Sequence, residues 1–406
     1  MKTRFLDAMG DALTLVRKSN LVEATALLRR TLPGGDAVAA LAERGRRRAP
    51  DSPNVDQAEL TRSATASTTA TGDDAGVRSD RPSFAPDFAF ASAPRAPLGE
   101  ILRALRAGRA YLPKGPFAPD ERPAYPPDDK FTARSYRGPA GSLNYRLYVP
   151  SDHATRELAL MLMLHGCTQN PEDFALGTQM NALADEFGLV VAYPHQPRAA
   201  NPSGCWNWFD KRHQHRGSGE PARLAGLVQS LASEFAIPRE RTFVAGLSAG
   251  GAMAEVLAAT YPDLFDAVGI HSGLPYKAAK DVPSAFAAMK GASAEPALRV
   301  VGGTECRKIV FHGGADATVD PVNAMRILDQ ARSGQTNLKQ VDLEWRIEGR
   351  RVNQTALQDP AGQPVVELWS VEGGGHAWFG GDSRGSYTQS VGVDASRVMV
   401  RFFLKQ

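Results

Sequence analysis

The feature that most constrains the fold of this chain is an apolar run that passes through a serine flanked by glycines. Residues 242–251 read TFVAGLSAGG, and an alanine-rich stretch that ends at Thr260 follows. The apolar run predicts a buried strand, and the stretch after it predicts a helix. A turn this sharp strains the residue at its centre, and Gly246 and Gly250 let neighbouring backbone approach closely. Ser248 is therefore predicted to project from the carboxyl edge of a sheet.

The chain after about residue 130 has the alternating pattern of a sheet protein with helices between its strands. This pattern predicts an α/β fold, a mostly parallel sheet with helices on both faces. The predicted strands are 145–149, 158–164, 189–193, 242–245, 267–271, 308–311 and 365–371. The predicted helices are 171–187, 221–235, 249–260, 322–331 and 394–404. Residues 341–347 and 352–358 predict an additional antiparallel hairpin, with 359–363 as a turn.

The N-terminal third differs from the rest of the chain in composition and in the pattern of its apolar residues. Residues 1–49 are predicted to form a basic amphipathic helical extension, since the first 50 residues hold ten Lys and Arg against five Asp and Glu. Residues 50–129 are rich in Ser, Thr, Ala and Pro, and predict a disordered linker with room for a short helix at 98–106. Residues 1–50 have two interpretations: a docking segment for a polymer granule or surface, or a solvated appendage.

Bulk composition excludes several classes of function. A net charge of +3 gives no reason to expect a nucleic-acid partner, and no apolar run is long enough to predict a transmembrane segment. Asp7 and Asp11 interrupt the one candidate for a signal peptide, which favours a cytoplasmic location. Three cysteines are too few for a disulfide scaffold and too scattered for a zinc site.

Ser248 needs a general base and an acid to become a nucleophile, and after such a turn the partners follow in the order serine, acid, histidine. Of the eight histidines, His376 is the one that follows Asp316, and Asp316 lies just after an apolar run. Asp320 is the competing acid. His271 and His312 end apolar runs and are interpreted as structural histidines. The residues thus predict a Ser248, His376 and Asp316 triad, which works through an acyl-enzyme and needs no metal or organic cofactor.

The predicted oxyanion hole combines two backbone amides. Ala249 follows the nucleophile directly, and Cys167 follows a turn at Gly166 after the apolar run 158–164. Amides in these two places can bind the negative oxygen of a tetrahedral intermediate.

Several separated motifs, in one order, resemble the poly(3-hydroxybutyrate) depolymerase family of esterases, which also includes feruloyl and acetylxylan esterases. They are HGCTQ at 165–169, GCWNWF at 204–209, GLSAG at 246–250 and GHAW at 375–378. The resemblance covers residues 130–406 and implies an α/β-hydrolase fold and an ester substrate. A polyhydroxyalkanoate-type polyester or its oligomers is preferred over feruloyl, acetyl or other short esters. An inactive scaffold that binds a granule or partner is the alternative from another class.

The resemblance also implies roles for residues near the triad. At least one of Trp206 and Trp208 is expected to line the substrate cleft, with core packing as the alternative and with His165 and Gln169 beside them. It further suggests a disulfide between Cys167 and Cys205. A disulfide favours an oxidising compartment, whereas no signal peptide is expected, so free thiols and a bridge both remain open. The resemblance likewise leaves an extracellular location open beside the cytoplasmic one.

Overall fold

The computed structural model describes residues 125–126, 128–292, 306–333, 337–390 and 392–406. The predicted extension at 1–49 and nearly all of the predicted linker at 50–129, with its short helix, lie outside these residues. So does the docking segment at 1–50. Within the described ranges, no helix is both long and apolar enough to cross a membrane.

The described residues form one large sheet of ten strands. The strands are β1 Phe131–Gly138, β2 Gly141–Tyr148, β3 Ala159–Leu164, β4 Leu189–Pro194, β5 Thr242–Leu247, β6 Ala267–His271, β7 Arg307–Gly313, β8 Lys339–Ile347, β9 Arg350–Gln358 and β10 Pro364–Val371. Their order across the sheet is β1-β2-β4-β3-β5-β6-β7-β10-β9-β8. The six central strands from β4 to β10 run parallel, whereas β1, β2, β8 and β9 add antiparallel edges. A separate pair, β11 Trp378–Phe379 and β12 Thr388–Gln389, is parallel.

Helices cover both faces of this sheet. They are α1 Pro171–Thr178, α2 Met180–Phe187, α3 Gly219–Glu234, α4 Ala249–Thr260, α5 Val282–Met289, α6 Val322–Ser333 and α7 Ala395–Leu404. Buried side chains of α3, α4, α5 and α6 belong to one apolar cluster, and those of α1, α2 and α7 belong to another. Strand β3 contributes Leu160, Leu162 and Leu164 to the first cluster and Met161 and Met163 to the second. The predicted α/β fold, with helices on both faces of a mostly parallel sheet, is confirmed.

The structure differs from the predicted elements in several places. The helix predicted over 171–187 is broken at Gln179, whose φ of 53° is left-handed and ends α1 before α2 begins. Strand β1 was not predicted, because Phe131 is its one buried side chain and the strand has no apolar alternation. Helix α5 was also not predicted; Asp281 and Ser284 cap its start reciprocally.

The predicted hairpin is present, and the turn predicted at 359–363 follows it. Strands β8 and β9 pair in antiparallel register from Lys339 with Gln358 to Ile347 with Arg350. Residues 359–363 form the turn from β9 to β10, in which the Asp359 amide donates to the Gln363 carbonyl at 3.0 Å.

An ion pair is buried between the sheet and the helix that follows Ser248. The Lys308 Nζ of β7 contacts both carboxylate oxygens of Glu255 in α4, and it lies 2.6 Å from Glu255 Oε2. The two side chains are only 4% and 3% exposed. Removing one partner would leave a full charge in the interior, which is far more costly than removing both.

We therefore expect Lys308→Met to lower the free energy of unfolding by about 3 to 5 kcal/mol, because Glu255 keeps its charge without a partner. The double variant Lys308→Met, Glu255→Leu should recover most of that loss. Urea unfolding of the wild type, both single variants and the double variant measures this cycle. Equal losses in the single and double variants would contradict the assignment.

Candidate active site

Ser248 occupies the sharp turn between β5 and α4. Its φ of 58° and ψ of −118° are a left-handed conformation that a non-glycine residue rarely adopts. The Ser248 amide donates to the His271 carbonyl at the end of β6, at 2.9 Å. The turn is therefore tied to the neighbouring strand, and the side chain is held at the carboxyl edge of the sheet, 7% exposed.

The two glycines beside Ser248 are required by contact with the end of β3. A Cβ at Gly250 would lie 2.0 Å from the Leu164 carbonyl oxygen and 2.7 Å from that of His165. A Cβ at Gly246 would lie 2.7 Å from the same Leu164 oxygen. Real Cβ atoms do not approach backbone so closely, so any side chain at either position would push the turn away from β3.

Asp316 and His376 meet although they lie on separate loops. Asp316 follows β7, and His376 follows the glycine-rich stretch after β10. Asp316 Oδ2 accepts a hydrogen bond from His376 Nδ1 at 2.8 Å. This bond leaves Nε2 of His376 as the ring nitrogen that can accept a proton. Ser248 and His376 line the same small pocket.

Asp316 is buried yet strongly acidic. Burial by itself would raise the pKa of its carboxyl group, but His376, His312 and the Val319 amide outweigh burial and lower the pKa from 3.8 to about 2. Oδ1 accepts from the amides of Thr318 and Val319, each at 2.9 Å. The carboxylate is therefore ionised. The two amides hold Oδ1, while Oδ2 orients His376.

The competing candidates have other partners. The Asp320 carboxylate accepts from the Val322 amide at 3.0 Å, at the start of α6. His312 Nε2 donates to the Val319 carbonyl at 2.9 Å, and His271 Nε2 accepts from the Phe379 amide at 3.2 Å. Burial lowers the pKa of both histidines, so both are neutral and structural.

Hydrogen bonds occupy the amides on both sides of Cys167 in the loop after β3. The Gln169 amide donates to the Gly166 carbonyl at 3.3 Å, and the Thr168 amide donates to the Ser203 carbonyl at 2.8 Å. Among the described residues, by contrast, the amides of Cys167 and Ala249 donate to no protein acceptor. Cys167 itself lines the pocket. Both amides are available for an anionic oxygen.

A disulfide joins Cys167 to Cys205, so the loop after β3 is covalently tied to the tryptophan segment. Cys306 is the free cysteine; it is buried, and burial raises its pKa to about 12.

The other predicted substrate residues lie behind the pocket surface. Trp206 and Trp208 are only 1% and 5% exposed, in the apolar cluster under α3 and α4, and Trp206 Nε1 donates to the His165 carbonyl at 3.1 Å. His165 is 1% exposed, and its Nε2 accepts from the Gln196 amide at 3.3 Å. Gln169 is 5% exposed. In this structure the four side chains support the loops around the pocket and none of them lines it.

Residues that the sequence did not suggest complete the pocket. Its lining consists of Gly166, Cys167, Leu247, Ser248, Thr318, His376 and Tyr387. Thr318 is two residues from Asp316, so its position follows from the acid loop. Tyr387 comes from the segment between β11 and β12, where no local motif marks it. Within the described ranges, no cluster of three or more His, Cys, Asp or Glu side chains could hold a metal ion.

The chain matches a known family of proteins. The family model described as "Esterase PHB depolymerase" matches residues 143–358, which is more than half of the chain. The chain belongs to the esterase PHB depolymerase family.

Curated relatives in this family act on different esters, as their names say. Poly(3-hydroxyalkanoate) depolymerase C of Paucimonas lemoignei is 30% identical over 246 residues, 58% of each chain. Acetylxylan esterase A of Talaromyces purpureogenus is 28% identical over 200 residues, 45% of this chain and 51% of the relative. Feruloyl esterase B of Neurospora crassa is 29% identical over 199 residues, 45% of this chain and 67% of the relative. The chain thus spans a little over half of the depolymerase.

A solved structure shows the same fold. The acetyl xylan esterase from Aspergillus awamori matches with a TM-score of 0.50 at 20% sequence identity, over 60% of this chain and 94% of that one. At this level of identity the likeness concerns the fold alone, and it confirms the α/β-hydrolase fold that the motifs implied.

The contact between the Ser248 turn and β3 gives one testable prediction. Alanine normally stabilises a helix relative to glycine by about 1 kcal/mol, but at Gly250 the clash with Leu164 should outweigh this and cost about 3 kcal/mol. Gly250→Ala should therefore unfold at lower urea concentration and lose ester hydrolysis. Gly314→Ala is the matched control, because its Cβ would meet the nearest atom at an ordinary 3.4 Å. A Gly250→Ala variant as stable as wild type would contradict the packing argument.

The acidity of Asp316 gives a second prediction. A folded-state pKa near 2, against an ordinary 3.8, stabilises the fold fully above about pH 4, and this contribution disappears as the pH falls towards 2. It is worth about 2 kcal/mol. Asp316→Asn should lack this contribution, so the difference in unfolding free energy between wild type and variant should shrink as the pH falls from 5 to 2.5. The exposed Asp329→Asn is the control. A difference that does not change with pH would refute the assignment.

Proposed function

We propose that the protein is a serine carboxylester hydrolase in which Ser248 is the nucleophile, His376 the general base and Asp316 the acid that orients it. The observation that carries this proposal is the 2.8 Å hydrogen bond between Asp316 and His376, two residues that are 60 positions apart. Their loops bring His376 to the pocket that holds Ser248. A histidine oriented by a buried carboxylate, in the same pocket as the serine hydroxyl, is the arrangement that acyl transfer needs.

In the proposed reaction, Ser248 Oγ transfers its proton to His376 Nε2 and attacks the ester carbonyl carbon. The carbonyl oxygen becomes an anion in the tetrahedral intermediate, where the amides of Cys167 and Ala249 donate to it. The intermediate collapses as the carbon–oxygen bond to the alcohol breaks, and His376 returns its proton to the leaving alcohol. Water, deprotonated by His376, then hydrolyses the acyl-enzyme and regenerates Ser248.

The preferred substrate is a short hydroxyalkanoate polyester or its oligomers. The family and the 30% identity with the Paucimonas lemoignei depolymerase support this choice. The pocket also supports a short acyl group, since the disulfide-bonded Cys167, Leu247 and Tyr387 enclose it closely. Acetyl or feruloyl esters are the second candidate, which the 28% and 29% identical esterases favour. Docking of residues 1–50 on a granule or surface stays a prediction.

Initial rates on p-nitrophenyl butyrate, amorphous polyhydroxybutyrate and methyl ferulate test the proposal. Ser248→Ala should lower kcat/KM on every hydrolysed ester by a factor on the order of 10⁴ or more, because the acyl-enzyme can no longer form. The exposed Ser333→Ala, whose hydroxyl donates to the Gln330 carbonyl, is the matched control. A variant at Ser248 as active as wild type would end the serine hydrolase proposal, and an inactive wild type would favour a binding scaffold. Faster hydrolysis of methyl ferulate than of the polymer would overturn the substrate preference.

A further inference from the structure

We propose that Gln169 is a positioning residue that aims the Cys167 amide at the reacting carbonyl, and that the buried pair Asp173 and Ser386 holds Gln169 in place. This inference rests on the proposed function, because it concerns the oxyanion hole of that reaction. It assigns Gln169 a role different from the substrate contact that its place in the HGCTQ motif suggests.

The first step is the turn that contains Cys167. Gln169 closes it twice: the Gln169 amide donates to the Gly166 carbonyl at 3.3 Å, and Gln169 Oε1 accepts from the Gly166 amide at 2.9 Å. Thr168, inside the turn, has a φ of 65° in the left-handed region. This conformation costs free energy for a β-branched residue and persists only where surrounding contacts enforce it. The Gln169 side chain supplies one of those contacts, beside the amide that faces the pocket.

The second step is the other end of the Gln169 side chain. Nε2 donates to the Ser386 carbonyl at 2.9 Å, although Ser386 lies 217 residues further along the chain. Both oxygen and nitrogen of this buried amide are therefore occupied, and the amide has one orientation that satisfies both contacts. The side chain is a rigid brace between the loop after β3 and the segment before β12.

The third step is the carboxylate behind Ser386. Asp173 is fully buried; its Oδ1 accepts from the Ser386 amide at 2.8 Å, and its Oδ2 accepts from the Ser386 hydroxyl. Among the described residues, no Lys or Arg forms an ion pair with Asp173. It lies in the first turn of α1, where the helix dipole stabilises a negative charge. Asp173 thus fixes Ser386 with two bonds, and Ser386 in turn fixes Gln169.

The segment that contains Ser386 also contributes Tyr387, which forms one wall of the pocket. Tyr387 follows Ser386 directly, adopts a φ of 52°, and its hydroxyl lies 3.3 Å from Thr168 Oγ1. Its ring centroid is 6.4 Å from that of His376. Asp173, Ser386 and Gln169 therefore set the distance between the oxyanion amide and the opposite wall. Such a brace should affect the transition state more than the ground state, because the carbonyl oxygen gains its charge only as Ser248 attacks.

The test compares substrate turnover with binding of a trifluoromethyl ketone, which forms a hemiketal anion on a catalytic serine. Gln169→Ala should lower kcat/KM for p-nitrophenyl butyrate by about 10- to 100-fold, somewhat less than outright removal of an oxyanion donor. KM should stay within about twofold, and the ketone Ki should rise by the same factor as kcat/KM falls. Asp173→Asn should cause a smaller loss of kcat/KM than Gln169→Ala, and Ser386→Ala should cause the smallest loss. All rates are divided by the concentration of active enzyme, measured by titration of reactive Ser248. Unfolded protein therefore does not affect the comparison.

Gln214→Ala is the matched control. Gln214 is a buried glutamine whose Nε2 donates to the carbonyls of Trp208 and Ala279, each at 2.8 Å, so its loss should lower stability without changing the ketone Ki. Equal Ki values for Gln169→Ala and Gln214→Ala would overturn the inference and leave Gln169 a stabilising residue only. If Ser248→Ala keeps wild-type turnover, it is instead the proposed function that fails.

Discussion

The site depends on the close approach of backbone between the end of β3 and the turn that carries Ser248. A Cβ at Gly246 would lie 2.7 Å from the Leu164 carbonyl oxygen, and a Cβ at Gly250 would lie only 2.0 Å from it. This contact places the amide that follows Ser248 beside the loop that follows Leu164. An oxyanion hole made of two amides from different strands can form only if those strands are neighbours and nothing separates their ends. Parallel pairing of β3 with β5 provides the first condition, and the glycines provide the second.

Buried polar groups then hold the loop after β3 from two sides. On one side, Gln169 reaches Ser386 and Asp173. On the other side, Gln196 donates its backbone amide to His165 and its side-chain amide to Glu220, whose carboxylate also accepts from Asn207 in the tryptophan segment. Each of these side chains makes at least one hydrogen bond, which offsets part of the cost of burial and specifies one arrangement. Trp206 joins this second network through the hydrogen bond from its Nε1 to the His165 carbonyl, and the disulfide adds a covalent tie.

Electrostatics divides the site into a charged part and a neutral part. His376 and the backbone amides around Asp316 keep its carboxylate ionised despite burial, whereas for His271 and His312 burial outweighs the attraction of Asp316, lowers the pKa and leaves both rings neutral. A fixed negative charge next to one histidine stabilises the positive charge that this ring gains when it takes a proton. The same carboxylate lies 3.5 Å from His312 Nε2, whose hydrogen bond to the Val319 carbonyl gives that ring a structural role.

The sequence by itself determined the α/β pattern, the strand-turn-helix at Ser248 and the order of Asp316 and His376, because strand and helix periodicity and the glycine turn are local properties. It left Asp320 open as the acid and Cys167 with Cys205 open as a bridge. In the tertiary structure Asp316 bonds to His376 and Cys167 is bridged to Cys205. Trp206 and Trp208 are buried, and Ser386 meets Asp173 across 213 residues. Contacts between distant residues leave no periodic signal in the chain, so the brace and the Tyr387 wall became visible only in the folded protein.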